Sequence, residues 1–128
     1  MKTVLQQCFV FALGAVSYCA IETWWRGYTH FSMGLAGGVC ILIFYNMWQW
    51  FYTKPLILWG LVGGSIITGV ELLFGVVFNL ILGYHVWDYS GMPYHVMGQI
   101  CPTFSVIWMM LSYPAIGMCG YLYICFHP

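Results

Sequence analysis

Apolar residues gather in four long runs, and short aromatic or polar links separate them. The runs cover residues 4–24, 31–50, 55–82 and 97–124. At about 1.5 Å of rise per residue, each helix is long enough to cross a hydrocarbon core about 30 Å thick. The pattern predicts an all-α, polytopic membrane protein, with four transmembrane helices bundled in a single domain over residues 1–128. The first run follows Lys2 but lacks a clean small-x-small cleavage site, so it reads as a span rather than a secretory signal. Trp24, Trp25 and Tyr28 after the first run, and Trp48, Trp50 and Tyr52 after the second, mark two opposite membrane faces. Thr53, Lys54 and Pro55 form a tight turn, with Pro55 suited to the first helical position. Pro102 and Pro114 fall inside the fourth run and predict kinks there.

The segment from Gly60 to Ser90 organises the rest. On a helix, Gly60, Gly64, Thr68, Glu71, Gly75, Asn79 and Gly83 make one slowly drifting stripe. Branched aliphatics cover the other faces. Such a helix turns its small stripe toward other helices, and Glu71 must lie on that side because an ionisable group is costly in hydrocarbon. Gly34, Gly37 and Gly38 give the second run a similar small side, and these two faces are the expected contacts of a homo-oligomer, most simply a dimer.

Composition narrows the class further. Of 128 residues, 62% are hydrophobic, 20% aromatic and only 5% charged, against about 25% charged in soluble domains. The formal net charge is zero, and no basic patch offers itself to nucleic acid. The six cysteines form no CxxC and read as small buried hydrophobes. Four spans put both termini on one side. Lys2 and Lys54 then share a face opposite Arg26, which favours cytoplasmic termini and a cell-membrane location; an antiparallel, dual-topology dimer is the alternative.

Charge inside the spans is where chemistry would sit. Counting from Leu5 to Glu22 and from Pro55 to Glu71 gives about 25 Å and about 24 Å of helix, so both carboxylates fall at similar depth. Arg26 stands one turn beyond Glu22, in the favourable acid-to-base order. Asn79 lies two turns above Glu71, and Asp88 and His85 follow in the loop. Intramembrane ionisable groups are candidates for a substrate, ion or proton path, so Glu22, Glu71, Arg26, Asn79, Asp88 and His85 form the candidate binding set. The alternative is that these groups only fix packing. His85 and His95 with Asp88 between them match no tight metal motif, so no metal and no cofactor is expected. In the loop, Asp88 can cap the backbone while Trp87 and Tyr89 anchor at the interface, beside Ser90.

Glu71 and Gly75 in an apolar helix, then VWDYS, a short link and GQICPTFSVIW, resemble the type IV ABC-transporter permease family, also called CmpB-like. Glu71, Trp87, Asp88, Tyr89, Ser90 and Gly98 carry the resemblance, with Gln99 in the same motif; a glutamate ending the first span, Glu22, is similar too. The resemblance implies a permease architecture and supports Glu22, Glu71 and Asp88 as functional positions. The chain has no Walker A loop, so ATP-driven transport would require a separate ATPase subunit, and nothing in the sequence indicates one. Three functions stay open. A permease would bind a proton, a cation or a small substrate at its carboxylates. An intramembrane enzyme would act on a lipid or isoprenoid near the outer face. An accessory protein would use its polar groups only for assembly.

Overall fold

The computed structural model describes residues 2–127, with Lys2 represented by its backbone alone. The Lys2 side chain, on which the orientation argument draws, and Pro128 lie outside the described residues. The elements are α1 (Lys2–Arg26), α2 (Phe31–Asn46), a short α3 (Trp48–Phe51), α4 (Leu56–Phe74), a π-helical segment (Gly75–Ile81) and α5 (Pro102–Phe126). No β-strand occurs among the described residues; one isolated bridge joins Val96 and Ile100. Thr3–Arg26, Leu56–Ile81 and Pro102–Phe126 are long and apolar enough to cross a membrane, and Phe31–Asn46 is a shorter apolar helix. The chain is an all-helical membrane protein, as its apolar runs predict.

Two of the runs differ from simple continuous helices. The second bends at Met47, where φ −95° and ψ 1° leave the helical region. Asn46 just before it sends Nδ2 to the Leu42 carbonyl at 2.8 Å and to Gln7 Oε1 at 2.8 Å. A short amide side chain that bonds nearby backbone competes with helix continuation. The fourth helix starts at Pro102, five residues later than its apolar run. Proline lacks the N–H that a helix interior needs but suits the first turn, so Pro102 opens the helix instead of kinking it. Pro114 does lie within α5.

Two compact units share these helices. The first holds residues up to Pro55 and those from Pro114 onward; the second is Leu56–Tyr113. The boundary in α5 falls at Pro114, which has no N–H for the carbonyl four residues earlier.

In the first unit, α1 and α2 pack at close range through glycine. A Cβ on Gly37 would stand 2.5 Å from Tyr18 Cβ, and one on Gly38 would stand 2.8 Å from the Phe11 ring. Gly34 meets Cys19 Sγ in the same way. Val10, Phe44, Phe51, Ile116 and Cys119 are fully enclosed there. The Cys119 thiol reaches the Ile41 carbonyl at 3.5 Å, and Trp48 lies over Gly120.

The second unit closes α4 onto the first turns of α5. Tyr113 covers Gly60, Met109 covers Gly64, and Thr68 Oγ1 meets Ser105 Oγ at 3.0 Å. Beyond Glu71 the stripe continues against the loop, where Gln99 covers Gly75. From Gly60 to Asn79 the predicted small stripe therefore faces protein, while Gly83 at its end is exposed. It does so inside its own unit, and so do the glycines of α2. Both glycine faces assigned above to an oligomer contact are already filled by side chains of the same chain. Gly83, at φ +71°, ends the helical run in the left-handed conformation that favours glycine.

Candidate functional site around Glu71

Glu71 is 8% exposed and sits on the α4 face that packs against α5 and the loop. Its two oxygens are held separately. Tyr89 Oη donates to Oε2 at 3.0 Å, and Trp108 Nε1 donates to Oε1 at 3.2 Å. The Tyr89 ring stacks on Phe104 at 4.8 Å with planes 6° apart, and Phe104 leads on to Trp108 one turn later in α5. The carboxylate thus joins three elements: α4, the loop and α5. No Lys or Arg occurs in Leu56–Tyr113, so this unit supplies neutral donors rather than a permanent countercharge.

The loop owes its position to a second buried network. Gln99, 3% exposed, accepts from Asn79 Nδ2 at 2.8 Å and donates through Nε2 to the Met97 carbonyl at 2.9 Å. Its own carbonyl accepts from Trp87 Nε1 at 3.0 Å. Asn79 Oδ1 takes the Val86 N–H at 2.6 Å. Two amides and one indole therefore tie the π-helical segment to both ends of the loop. Tyr89 N–H donates to the Gly98 carbonyl at 2.7 Å, which fixes the ring that reaches Glu71. Gly98 has φ +71°, and a Cβ there would lie 3.0 Å from Asp88 Oδ1, so both conformation and space call for glycine.

Each predicted residue can now be placed. Glu71, Tyr89, Trp87, Gly98 and Gln99 come together through the contacts above. Asn79 is buried but turns to Gln99 and Val86, so it positions the loop and does not extend the acidic site. Asp88 is exposed and accepts the Ser90 N–H at 2.9 Å, a local turn. Hydrogen bonding from the Ser90 backbone and then its side chain holds the Asp88 carboxyl below its ordinary range, with His95 and His85 adding smaller attractions. His85 is exposed at φ +51°. Glu22 belongs to the first unit. It is 7% exposed and pairs with Arg26 at 2.5 Å, while the guanidinium lies 4.6 Å from the Tyr28 ring centre. Among the described residues no group of three or more His, Cys, Asp or Glu side chains could hold a metal ion.

Sequence reasoning assigned no role to Trp108 or Phe104. The signal was their four-residue spacing in PTFSVIW, which puts both on one face of a helix. Beside this clamp, a cleft of about 400 Å³ is lined by Gly64, Ser65, Thr68, Leu72, Ser105 and Met109. It begins about two helical turns before Glu71, and the Thr68–Ser105 hydroxyl pair is its main polar feature.

No curated protein and no solved structure matches the sequence. Residues 3–124, nearly the whole chain including every element of the Glu71 clamp, match one family, and the chain therefore belongs to the family described as "Putative ABC-transporter type IV".

Proposed function

We propose that the chain is a membrane permease in which Glu71 exchanges a proton or a small cation, using the adjoining cleft as the entry for its cargo. One observation carries this reading. A buried carboxylate in a membrane span takes a neutral donor of its own unit at each oxygen, and one of those donors is a tyrosine on a loop. An indole N–H can only donate, so Trp108 keeps Oε1 an acceptor in either protonation state. A phenol both donates and accepts. When Glu71 takes a proton on Oε2, Tyr89 must become the acceptor or withdraw, and a cation at Oε2 displaces its hydroxyl. Loading of the carboxylate is thereby linked to the loop that covers it. The hydroxyls of Thr68 and Ser105 offer a hydrated or hydroxylated cargo polar contacts one turn away.

In this reading Glu22 and Arg26 form a second, paired site, while Asn79, Asp88 and His85 serve the loop. The working form would be a homodimer, joined through a surface other than the two glycine faces, with cytoplasmic termini in the cell membrane. Energy coupling to ATP would need a separate ATPase chain. The same contacts favour one rival reading: both Glu71 oxygens are satisfied, as in an accessory protein whose carboxylates only lock its helices.

Proteoliposomes decide between them. Proton flux is read with internal pyranine while Na⁺, K⁺ or tetraphenylphosphonium gradients are imposed. Wild type and Glu71→Asp should carry flux, and Glu71→Gln, verified as folded by size-exclusion elution and helical circular dichroism, should reduce it at least tenfold. Wild-type vesicles no leakier than empty ones under every gradient would overturn the permease reading in favour of the structural one.

A further inference from the structure

The segment between the π-helical segment and α5 has an unusual combination of features. Tyr94, Val96 and Met97 expose 88%, 48% and 58% of their surface. Tyr94 and Met97 also hold φ +59° and +55°, a region costing roughly 1–2 kcal/mol for residues with a Cβ. Met97 and Gly98 together make the tight turn of a small hairpin, closed by Gln99 N–H to the Val96 carbonyl at 3.0 Å and Val96 N–H to the Ile100 carbonyl at 2.9 Å. Strain here turns apolar side chains outward.

From Val96 to Gln99, seven of the eight backbone N–H and carbonyl groups are nevertheless paired. The Met97 carbonyl takes Gln99 Nε2, and the Gly98 N–H goes to His95 Nδ1 at 3.0 Å. The Gly98 carbonyl takes Tyr89 N–H, and the Gln99 carbonyl takes Trp87 Nε1. A water-exposed loop has no need of such pairing, because solvent satisfies its backbone. A loop at membrane depth has that need, since each unpaired group in hydrocarbon costs several kcal/mol.

Depth follows from the same contacts. Gln99 lies against Gly75 and Asn79, six and two residues before the helical end at Ile81. At about 1.5 Å per residue the hairpin base sits roughly 3–9 Å inside that end. The span Leu56–Ile81 has 26 residues, about 39 Å against a core of about 30 Å, so this level is the headgroup–acyl boundary. No Lys, Arg, Asp or Glu follows Asp88, whose own carboxylate lies beside Gly98 and suits the headgroup side of this boundary. Leu80, Ile81 and Leu82 expose a lipid-compatible surface on the adjoining helix end.

We propose that residues 94–100 form a re-entrant hairpin that inserts Tyr94, Val96 and Met97 into the bilayer at the headgroup–acyl boundary. The occupant of this surface is lipid, and the hairpin anchors the loop that carries Tyr89. The inference does not depend on transport. It is tested on the unmodified chain in phospholipid nanodiscs by two mass-spectrometric maps. Hydroxyl-radical labelling should oxidise Met97 at least fivefold more slowly than the same methionine in the proteolysed peptide. A phospholipid with a diazirine near the glycerol end of its acyl chain should leave adducts on residues 94–97. Oxidation within twofold of the peptide rate would overturn the insertion. A protected Met97 without lipid adducts would also overturn it, by showing a protein surface there instead.

Discussion

Replacing Tyr89 with Phe removes one hydroxyl and leaves the ring stacked on Phe104. The deleted bond is Tyr89 Oη to Glu71 Oε2, 3.0 Å, in a setting where Glu71 is 8% exposed. A hydrogen bond to a charged acceptor contributes about 1.5–3 kcal/mol, and one between neutral groups about 0.5–1.5 kcal/mol. If Glu71 is ionised when clamped, Tyr89→Phe should cost about 2 kcal/mol. In a Glu71→Gln background the acceptor is neutral, and the same change should cost about 1 kcal/mol or less. The coupling energy of the Tyr89→Phe and Glu71→Gln cycle is then about 1 kcal/mol, in the range expected for residues in direct contact. Equilibrium unfolding in bicelles, followed by helical circular dichroism at pH 7.5, gives all four free energies. A coupling within about 0.3 kcal/mol of zero would refute the reasoning, because the hydroxyl would then be indifferent to the charge on its partner. Trp108→Phe supplies the parallel cycle through Oε1, with a similar coupling expected.

Glycine substitutions should split by sign. Gly75→Ala places a methyl 2.5 Å from Gln99 Oε1 and 2.9 Å from its Cβ, so overpacking of about 1–3 kcal/mol should outweigh any gain in helix propensity. Gly69→Ala meets nothing within 4 Å and should stabilise by about 0.5–1 kcal/mol in the same unfolding assay. Asn79→Ala strands the Val86 N–H and one Gln99 acceptor, at a cost of about 1–3 kcal/mol for each buried group left unpaired; faster hydrogen exchange at Val86 should report it directly. Asp88 sets a pH dependence. Its folded-state pKa is lowered, so its contribution is present above the unfolded value near 3.9 and lost as pH falls through the folded value. The stability difference between wild type and Asp88→Ala should accordingly be constant from pH 7 to 5 and shrink below about pH 4.

The chain's periodicity made its helices legible, because apolar runs of this length have few alternatives. The stripe on α4 was equally legible: Gly60, Gly64, Thr68, Glu71, Gly75 and Asn79 all turn toward protein. What they touch was not. A stripe of small residues announces close approach without naming the neighbour, and here the neighbours are Tyr113, Met109, Ser105 and Gln99 of the same unit. The resemblance picked out Tyr89, Gly98 and Gln99, yet their roles rest on contacts 9 to 20 residues apart in and around an irregular loop, such as Tyr89 N–H to Gly98 and Asn79 to Gln99. No periodicity encodes those. Pro102 was misread for a related reason, since an apolar run does not distinguish a helix interior from a hairpin that lies at the same depth.

The π-helical segment explains how one stripe can serve both networks. In an α-helix a step of four residues overshoots a full turn by about 40°, so Glu71, Gly75 and Asn79 would drift away from a common face. From Gly75 to Ile81 the backbone bonds five residues ahead, as Leu82 N–H to the Val77 carbonyl illustrates at 3.0 Å. The wider turn takes in more residues, and a four-residue step no longer overshoots. Asn79 returns toward the line of Glu71 and meets Gln99, whose backbone then holds Trp87 while the adjacent Gly98 holds Tyr89. The change of helix type begins at Gly75, where only a hydrogen side chain lets Gln99 approach so closely. A helix that stayed α-helical beyond Gly75 would rotate Asn79 away from Gln99, detach the loop, and withdraw the tyrosine from the carboxylate. The geometry of Glu71 is thus decided as much by the two turns after it as by the residues that touch it.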